Sequence, residues 1–162
     1  MLTATFDTSA LKTLSVGTRR TMETGIARAV RIGLKEGAEY ARKNHTHHRQ
    51  TGRLTSPKEL RGELRSANAS GAWGYLTNYT PYGAYIEYGT KAHDIRPKRA
   101  KALRFMVGHH AIVGGEIVFA KRVRHPGTDP MPFMGPASEY AGTVIVREIE
   151  DYTFSMIAKL WD

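Results

Sequence analysis

The sequence predicts an α+β fold: an antiparallel β-sheet packed against a long N-terminal helix, a short central helix and a long C-terminal helix. Three observations carry this expectation. Apolar residues recur every three or four positions in two long stretches near the ends of the chain. Short stretches between them alternate with a period of two and are separated by glycine-containing turns. No strand is followed by a helical crossover into a second strand, as a parallel sheet would require.

From Val16 to Asn44 there is no proline, and Met22, Ile26, Ala29, Val30, Gly33, Ala38 and Ala41 form one stripe, so one amphipathic helix is expected. Gly17, Gly25, Gly33 and Gly37 each cost about 1 kcal/mol relative to alanine inside a helix. Either they let another backbone approach or they break the helix. Polar HTHHRQTG ends it, and Pro57 marks a turn. GELRSANASGAWGYLTN then reads as a hairpin around Asn68 to Gly71, with Trp73, Tyr75 and Thr77 alternating with Ala72, Gly74 and Leu76. In TPYGAYIEYG, Thr80 before Pro81 predicts the start of a two-turn helix that stops at Gly89. KAHDIRPKRAK is read as a basic loop. ALRFMV and EIVFAKRV are read as two strands, with Gly114 and Gly115 as a tight turn between them. The segment RHPGTDPMPFMGP holds four of the seven prolines, which excludes a regular element. From Pro136 to Trp161, the residues Ala137, Ala141, Val144, Ile145, Ile149, Tyr152, Met156 and Leu160 share one helical face. The 162 residues are expected to form a single domain, with 1–15 as an extended N-terminal arm and 91–101 and 124–136 as loops or arms.

Composition narrows the function classes. The chain has no cysteine, so it holds no disulfide, thiol nucleophile or thiolate metal site. A mean hydropathy of −0.42 predicts no membrane span. The first residues place their arginines after their few apolar residues, the reverse of a secretory signal, and a cytoplasmic site of synthesis and assembly is expected. The net charge of +9 is unevenly spread. Residues 91–125 hold 9 basic and 2 acidic groups, whereas 126–162 hold 2 basic and 6 acidic. A basic middle and an acidic end suit binding to nucleic acid, or head-to-tail pairing between copies of the chain.

Motifs for chemistry are sparse. His45, His47 and His48, with His109 and His110 elsewhere, have the density of a metal site, but no carboxylate lies between Tyr40 and Leu54, and an exposed polar loop is the expectation. Glu87 stands alone in YGAYIEYGT. A general acid needs a charged or polar partner, so Glu87 is read as a helix carboxylate paired with an arginine. No glycine-rich phosphate loop, nucleophile elbow or HExxH occurs, and neither enzymatic activity nor a cofactor is predicted. Arg96, Lys98, Arg99, Lys101, Arg104, Lys121, Arg122 and Arg124 are candidates for non-specific phosphate contact with double-stranded DNA. The prolines at 126, 130, 132 and 136 fix an extended path that lays Phe133 either against a neighbour or in the protein's own core.

Four segments together carry a resemblance: TGRL at Thr51 to Leu54, the aromatic helix ending in EYGT at Glu87 to Thr90, IRP at Ile95 to Pro97, and HPGTDPMPFMGPA at His125 to Ala137. Over residues 50–140 the chain resembles the minor tail component family of tailed double-stranded DNA bacteriophages, the small head-to-tail joining or tail-completion proteins. The resemblance implies a non-enzymatic virion protein of the tail or neck. It would assemble in the bacterial host as a homo-oligomeric ring, a hexamer as the expected form. Its partners would be head-closure, tail-terminator or tail-tube proteins, with genomic DNA touched non-specifically. By position, Tyr82, Tyr85, Glu87, Gly89 and Thr90 carry the family's central helix and turn. Gly52, Arg53 and Leu54 carry the TGRL turn, and His125, Pro126, Gly127, Pro132, Phe133 and Pro136 carry the proline arm. These are the candidate interface residues, and Phe133→Ala or Glu87→Ala is expected to spoil assembly while leaving the fold intact. After TGRL the chain departs from the family pattern, with TSPKEL where a strand usually begins.

Overall fold

Two long helices that lie far apart in the chain form the spine of the molecule. The computed structural model describes residues 16–45, 52–68, 71–107 and 116–161. Helix α1 runs unbroken over Val16–Asn44 and buries Ile26, Ala29, Val30, Leu34, Ala38 and Ala41. Helix α3 covers Met134–Trp161 and buries Ala137, Ala141, Val144 and Ile145 against it. Small residues set the spacing. A Cβ at Gly33 would stand 2.3 Å from Cγ1 of Ile145 and 2.8 Å from the carbonyl oxygen of Ala141, so the stripe glycine admits a neighbouring backbone rather than breaking the helix. Tyr152 adds a polar clasp by donating its hydroxyl to the Thr21 carbonyl at 2.7 Å.

Strands β1 (Leu60–Asn68) and β2 (Gly71–Asn78) form the expected hairpin, antiparallel from Leu60↔Asn78 to Asn68↔Gly71, with a bulge between Leu64 and Ser66. The alternation in β2 resolves in favour of the small residues. Ala72, Gly74 and Leu76 face the core, and Trp73 and Tyr75 face outward, edge to face at 5.2 Å. The reason lies in α1, whose Leu34 leaves no room for a side chain at Gly62 or Gly74. On the outer face Arg61 and Arg65 lie over the rings of Tyr79 and Tyr75 at 4.9 and 5.4 Å. The hydrogen bond with Tyr79 and then the charge of Glu63 hold the Arg61 guanidinium above its usual pKa.

Helix α2 (Gly83–Tyr88) is shorter than expected and begins later, with Tyr82 rather than Thr80 at its N-cap. Thr80 is buried and accepts a different role. Its N–H donates to Oδ1 of Asn78 at 2.9 Å, and Asn78 in turn donates to the Leu54 carbonyl at 2.7 Å, which pins the corner leaving β2.

The remaining strands correct the expectation of one sheet. Strands β3 (His93–Ile95) and β6 (Val123–His125) pair with each other, as do β4 (Leu103–Val107) and β5 (Glu116–Ala120), so the described strands form three separate two-stranded antiparallel ladders. The stretch EIVFAKRV is split at Lys121 and Arg122, each half pairing with a different partner. The segment 91–101 is therefore not wholly a loop, and His125 belongs to a strand rather than to the irregular proline run. The turn assigned to Gly114 and Gly115 lies outside the described residues. The α+β class with its two long helices, short central helix and antiparallel strands is the observed one.

Candidate assembly site

The end of α2, the turn after it and the proline segment fold into one unit, although some forty residues of sequence separate them. Glu87, in the last turn of α2, lies at the N-terminus of α3. Its carboxylate accepts the backbone N–H groups of Phe133 and Met134 at 2.8 and 2.9 Å and that of Gly135 at 2.9 Å. An anion here satisfies donors that a helix start leaves without intrahelical partners and meets the positive end of its dipole. The expected arginine partner is thus replaced by three backbone donors. Next to it the Met131 N–H donates to the Ile86 carbonyl at 2.8 Å. Thr90 and Thr128 form an isolated antiparallel bridge, exchanging N–H···O bonds of 2.9 and 3.1 Å, with their hydroxyls 3.1 Å apart.

Two glycines permit this crossing. Gly89 has φ 69° and Gly127 has φ 97°, both in the region that side chains disfavour. A Cβ at Gly89 would meet the Thr128 carbonyl oxygen at 2.4 Å, and one at Gly127 would meet that of Thr90 at 2.2 Å. His125 shapes the second turn, because its Nδ1 accepts the Gly127 N–H at 3.0 Å. Its ring stacks on that of His93 across the β3–β6 ladder at 5.1 Å. Just before β6, Arg122 reaches Asp94 of β3 in an ion pair of 2.8 Å.

Between α2, the β3–β6 ladder and the proline segment lies an open cleft of about 870 Å³. Its wall is mainly apolar and includes Tyr82, Tyr85, Ile86, Ile95 and Met131, with Lys91, His93, His125 and Asp129 among the polar lining residues. Tyr85 is 62% exposed and Tyr88, on the next turn, 77%. The arrangement is a shaped, mainly apolar recess with a few polar side chains on its wall, the general form of a binding site.

Of the residues singled out from sequence, Tyr82, Tyr85, Gly89, Thr90 and His125 all line this cleft. Gly52, Arg53 and Leu54 do not; they form a separate turn near the start of β1, with Gly52 at φ 68° and Arg53 paired with Glu59 at 3.1 Å. Burial corrects two assignments. Leu54 is 4% and Phe133 3% exposed, so both belong to the protein's own core and neither is available to a neighbour. Glu87 is likewise committed to α3, which removes the expectation that Phe133→Ala or Glu87→Ala spares the fold. Pro126, Pro132 and Pro136 are exposed, and Pro136 sits in the first turn of α3, where it lacks no intrahelical bond. Ile86, His93, Ile95, Thr128 and Met131 were missed. Thr128 had a sequence signal, because Gly127–Thr128 repeats the Gly89–Thr90 pair with which it bonds.

The eight basic candidates are all exposed: Arg96, Lys98, Arg99, Lys101, Arg104, Lys121, Arg122 and Arg124. The β3–β6 pairing brings Arg122 and Arg124 beside the segment that leads into Arg96, while Arg104 and Lys121 lie at the base of the β4–β5 ladder. His45 follows the end of α1, and His47, His48, His109 and His110 lie outside the described residues. Among the described residues no three histidine or carboxylate side chains gather where they could hold a metal ion. No described helix is long and apolar enough to cross a membrane.

No protein-family model, curated protein or solved structure matches this chain.

Proposed function

We propose that the chain is a structural protein of a tailed-bacteriophage virion, acting in tail completion and head-to-tail joining at the neck, where it assembles as a ring with copies of itself. The observation that carries this reading is the convergence of EYGT, HPG and the segment before α3 on one unit: the Glu87 cap, the Thr90–Thr128 bridge and the cleft beside them. EYGT and the proline segment are two of the four segments through which the sequence resembles tail-completion proteins; IRP begins in the adjoining β3–β6 ladder, and TGRL stands apart near β1. A chance likeness of short motifs gives no reason for them to pack together. The apolar cleft and the exposed aromatic residues around it fit a protein that works buried in an assembly. Head-closure, tail-terminator or tail-tube proteins are the expected neighbours.

The test is a stop codon in place of Trp73 in the genome of origin, with the lysate imaged by negative-stain electron microscopy. Filled heads beside separate tails are expected. Tails of abnormal length would move the protein to tube termination, and intact infectious particles would overturn the joining role. Exposure of all eight basic candidates favours a second reading, non-specific binding of double-stranded DNA, which intact particles would bring forward.

A further inference from the structure

The β4–β5 ladder is apolar where an isolated hairpin should be polar. Its register places Arg104 opposite Phe119 and Met106 opposite Ile117, all on one face. Met106 is 58%, Ile117 44% and Phe119 66% exposed. The other face carries Leu103, Phe105 and Val118, so neither side has the polar alternation of a ladder that ends in water. Two strands alone are marginally stable, and such a face calls for a cover.

A complementary surface occurs elsewhere on the same molecule. Helix α3 buries one side against α1, yet its opposite side carries Val146, Phe154 and Ile157, spaced so that they form one stripe with Glu139 and Glu150. Phe154 is 70% exposed. One patch is apolar with basic neighbours, Arg104 and Lys121, and the other is apolar with two acidic ones, Glu139 and Glu150, and one basic residue at its edge, Arg147, which is paired with Glu148 at 3.7 Å. Opposite charge argues for attraction between them and against each patch pairing with itself.

We infer that the β4–β5 hairpin of one copy docks on the outer stripe of α3 in the next copy. The occupant of each patch is thus a second copy of this chain, and the contact is heterologous: the two surfaces differ, so successive copies add head to tail and close into a ring. This rests on the assembly reading above and names the contact that would build the ring.

The test uses the purified full chain and two exposed substitutions, Phe119→Asp in the hairpin and Phe154→Asp in the helix. Wild-type chain is expected to self-associate by light scattering. Each variant alone is expected to do so at least about 100-fold more weakly, because an unpaired charge is forced into the contact. Mixed in equal amounts, the two variants retain one intact hairpin and one intact stripe, and should form a dimer that grows no further. Since the chain has no cysteine, the doubly substituted Phe119→Cys, Phe154→Cys protein should give an oxidised ladder of linked copies, and each single cysteine variant should not. This second measurement holds even if an aspartate harms folding. A monomeric wild type, a variant that assembles normally, or an absent ladder would overturn the contact. Rings made through this contact by a protein whose loss leaves virions intact would remove only the neck assignment. Separated heads and tails together with normal assembly of both aspartate variants would remove only the contact.

Discussion

At Glu87 one carboxylate ties the central helix to the start of α3 through three backbone donors. Position 133, the residue before α3, is a phenylalanine and cannot cap the helix itself. Glu87→Ala should therefore lower stability by about 2 kcal/mol, the scale of a lost cap with donors left unsatisfied, and Glu87→Gln by less, because one acceptor oxygen remains. Thermal melting followed by circular dichroism checks both. An unchanged midpoint for the alanine variant would mean that water replaces the carboxylate without cost. This is also where the sequence was least readable. A local cap announces itself by spacing, as Ser or Thr with Glu three residues on, but here donor and acceptor stand 46 residues apart, and α3 was accordingly expected two residues late. Phe133 was half readable: proline spacing showed that it is held in place, but not on which side of the surface.

At the scale of elements, the two long helices were legible because each shows its buried stripe directly, and Ala137, Ala141, Val144 and Ile145 are buried as their spacing predicts. Gly33 makes their contact quantitative. Alanine there would gain about 1 kcal/mol of helix propensity. It would also place a Cβ 2.8 Å from the Ala141 carbonyl oxygen, a backbone atom that cannot swing aside. Overpacking of this kind costs about 1–3 kcal/mol, so Gly33→Ala is expected to be destabilising on balance, with a lower denaturation midpoint in urea. The small ladders were harder to read. Strand pairing depends on which partner a segment meets, and EIVFAKRV carries no local mark of the break at Lys121 that sends its two halves to different partners. The β2 alternation likewise shows a period but not its inner face, which Leu34 of α1 decides.

For the whole molecule, charge is the property that the sequence states most plainly and the fold then distributes. The basic candidates surround the two small ladders, while Glu139 and Glu150 lie on the outer side of α3. Free chain is expected to bind duplex DNA weakly, with an affinity that falls linearly on a log–log plot against salt, and assembled rings to bind more tightly by presenting many basic segments at once. Fluorescence anisotropy with a labelled duplex at several salt concentrations measures the slope. A salt-independent affinity would remove phosphate contact as its origin. The candidate cleft was partly legible for a related reason: its polar and turn-forming residues belong to recognisable motifs, whereas Ile86, Ile95 and Met131 are ordinary apolar residues that become a wall only after the chain has folded.

The clasp between Tyr152 and Thr21 spans 131 residues of sequence, and the whole α1–α3 seam shares that long reach. A topology of this kind has high contact order, which slows folding because a long loop must close before its contacts give any return. During synthesis α1 leaves the ribosome long before α3 exists, and although the β1–β2 hairpin covers Leu34 early, the face around Gly25, Gly33 and Gly37 that receives Tyr152, Ile145 and Ala141 stays uncovered in the interval. The nascent chain is therefore a natural client for chaperones, and its yield should depend on them more strongly than the stability of the finished protein would suggest.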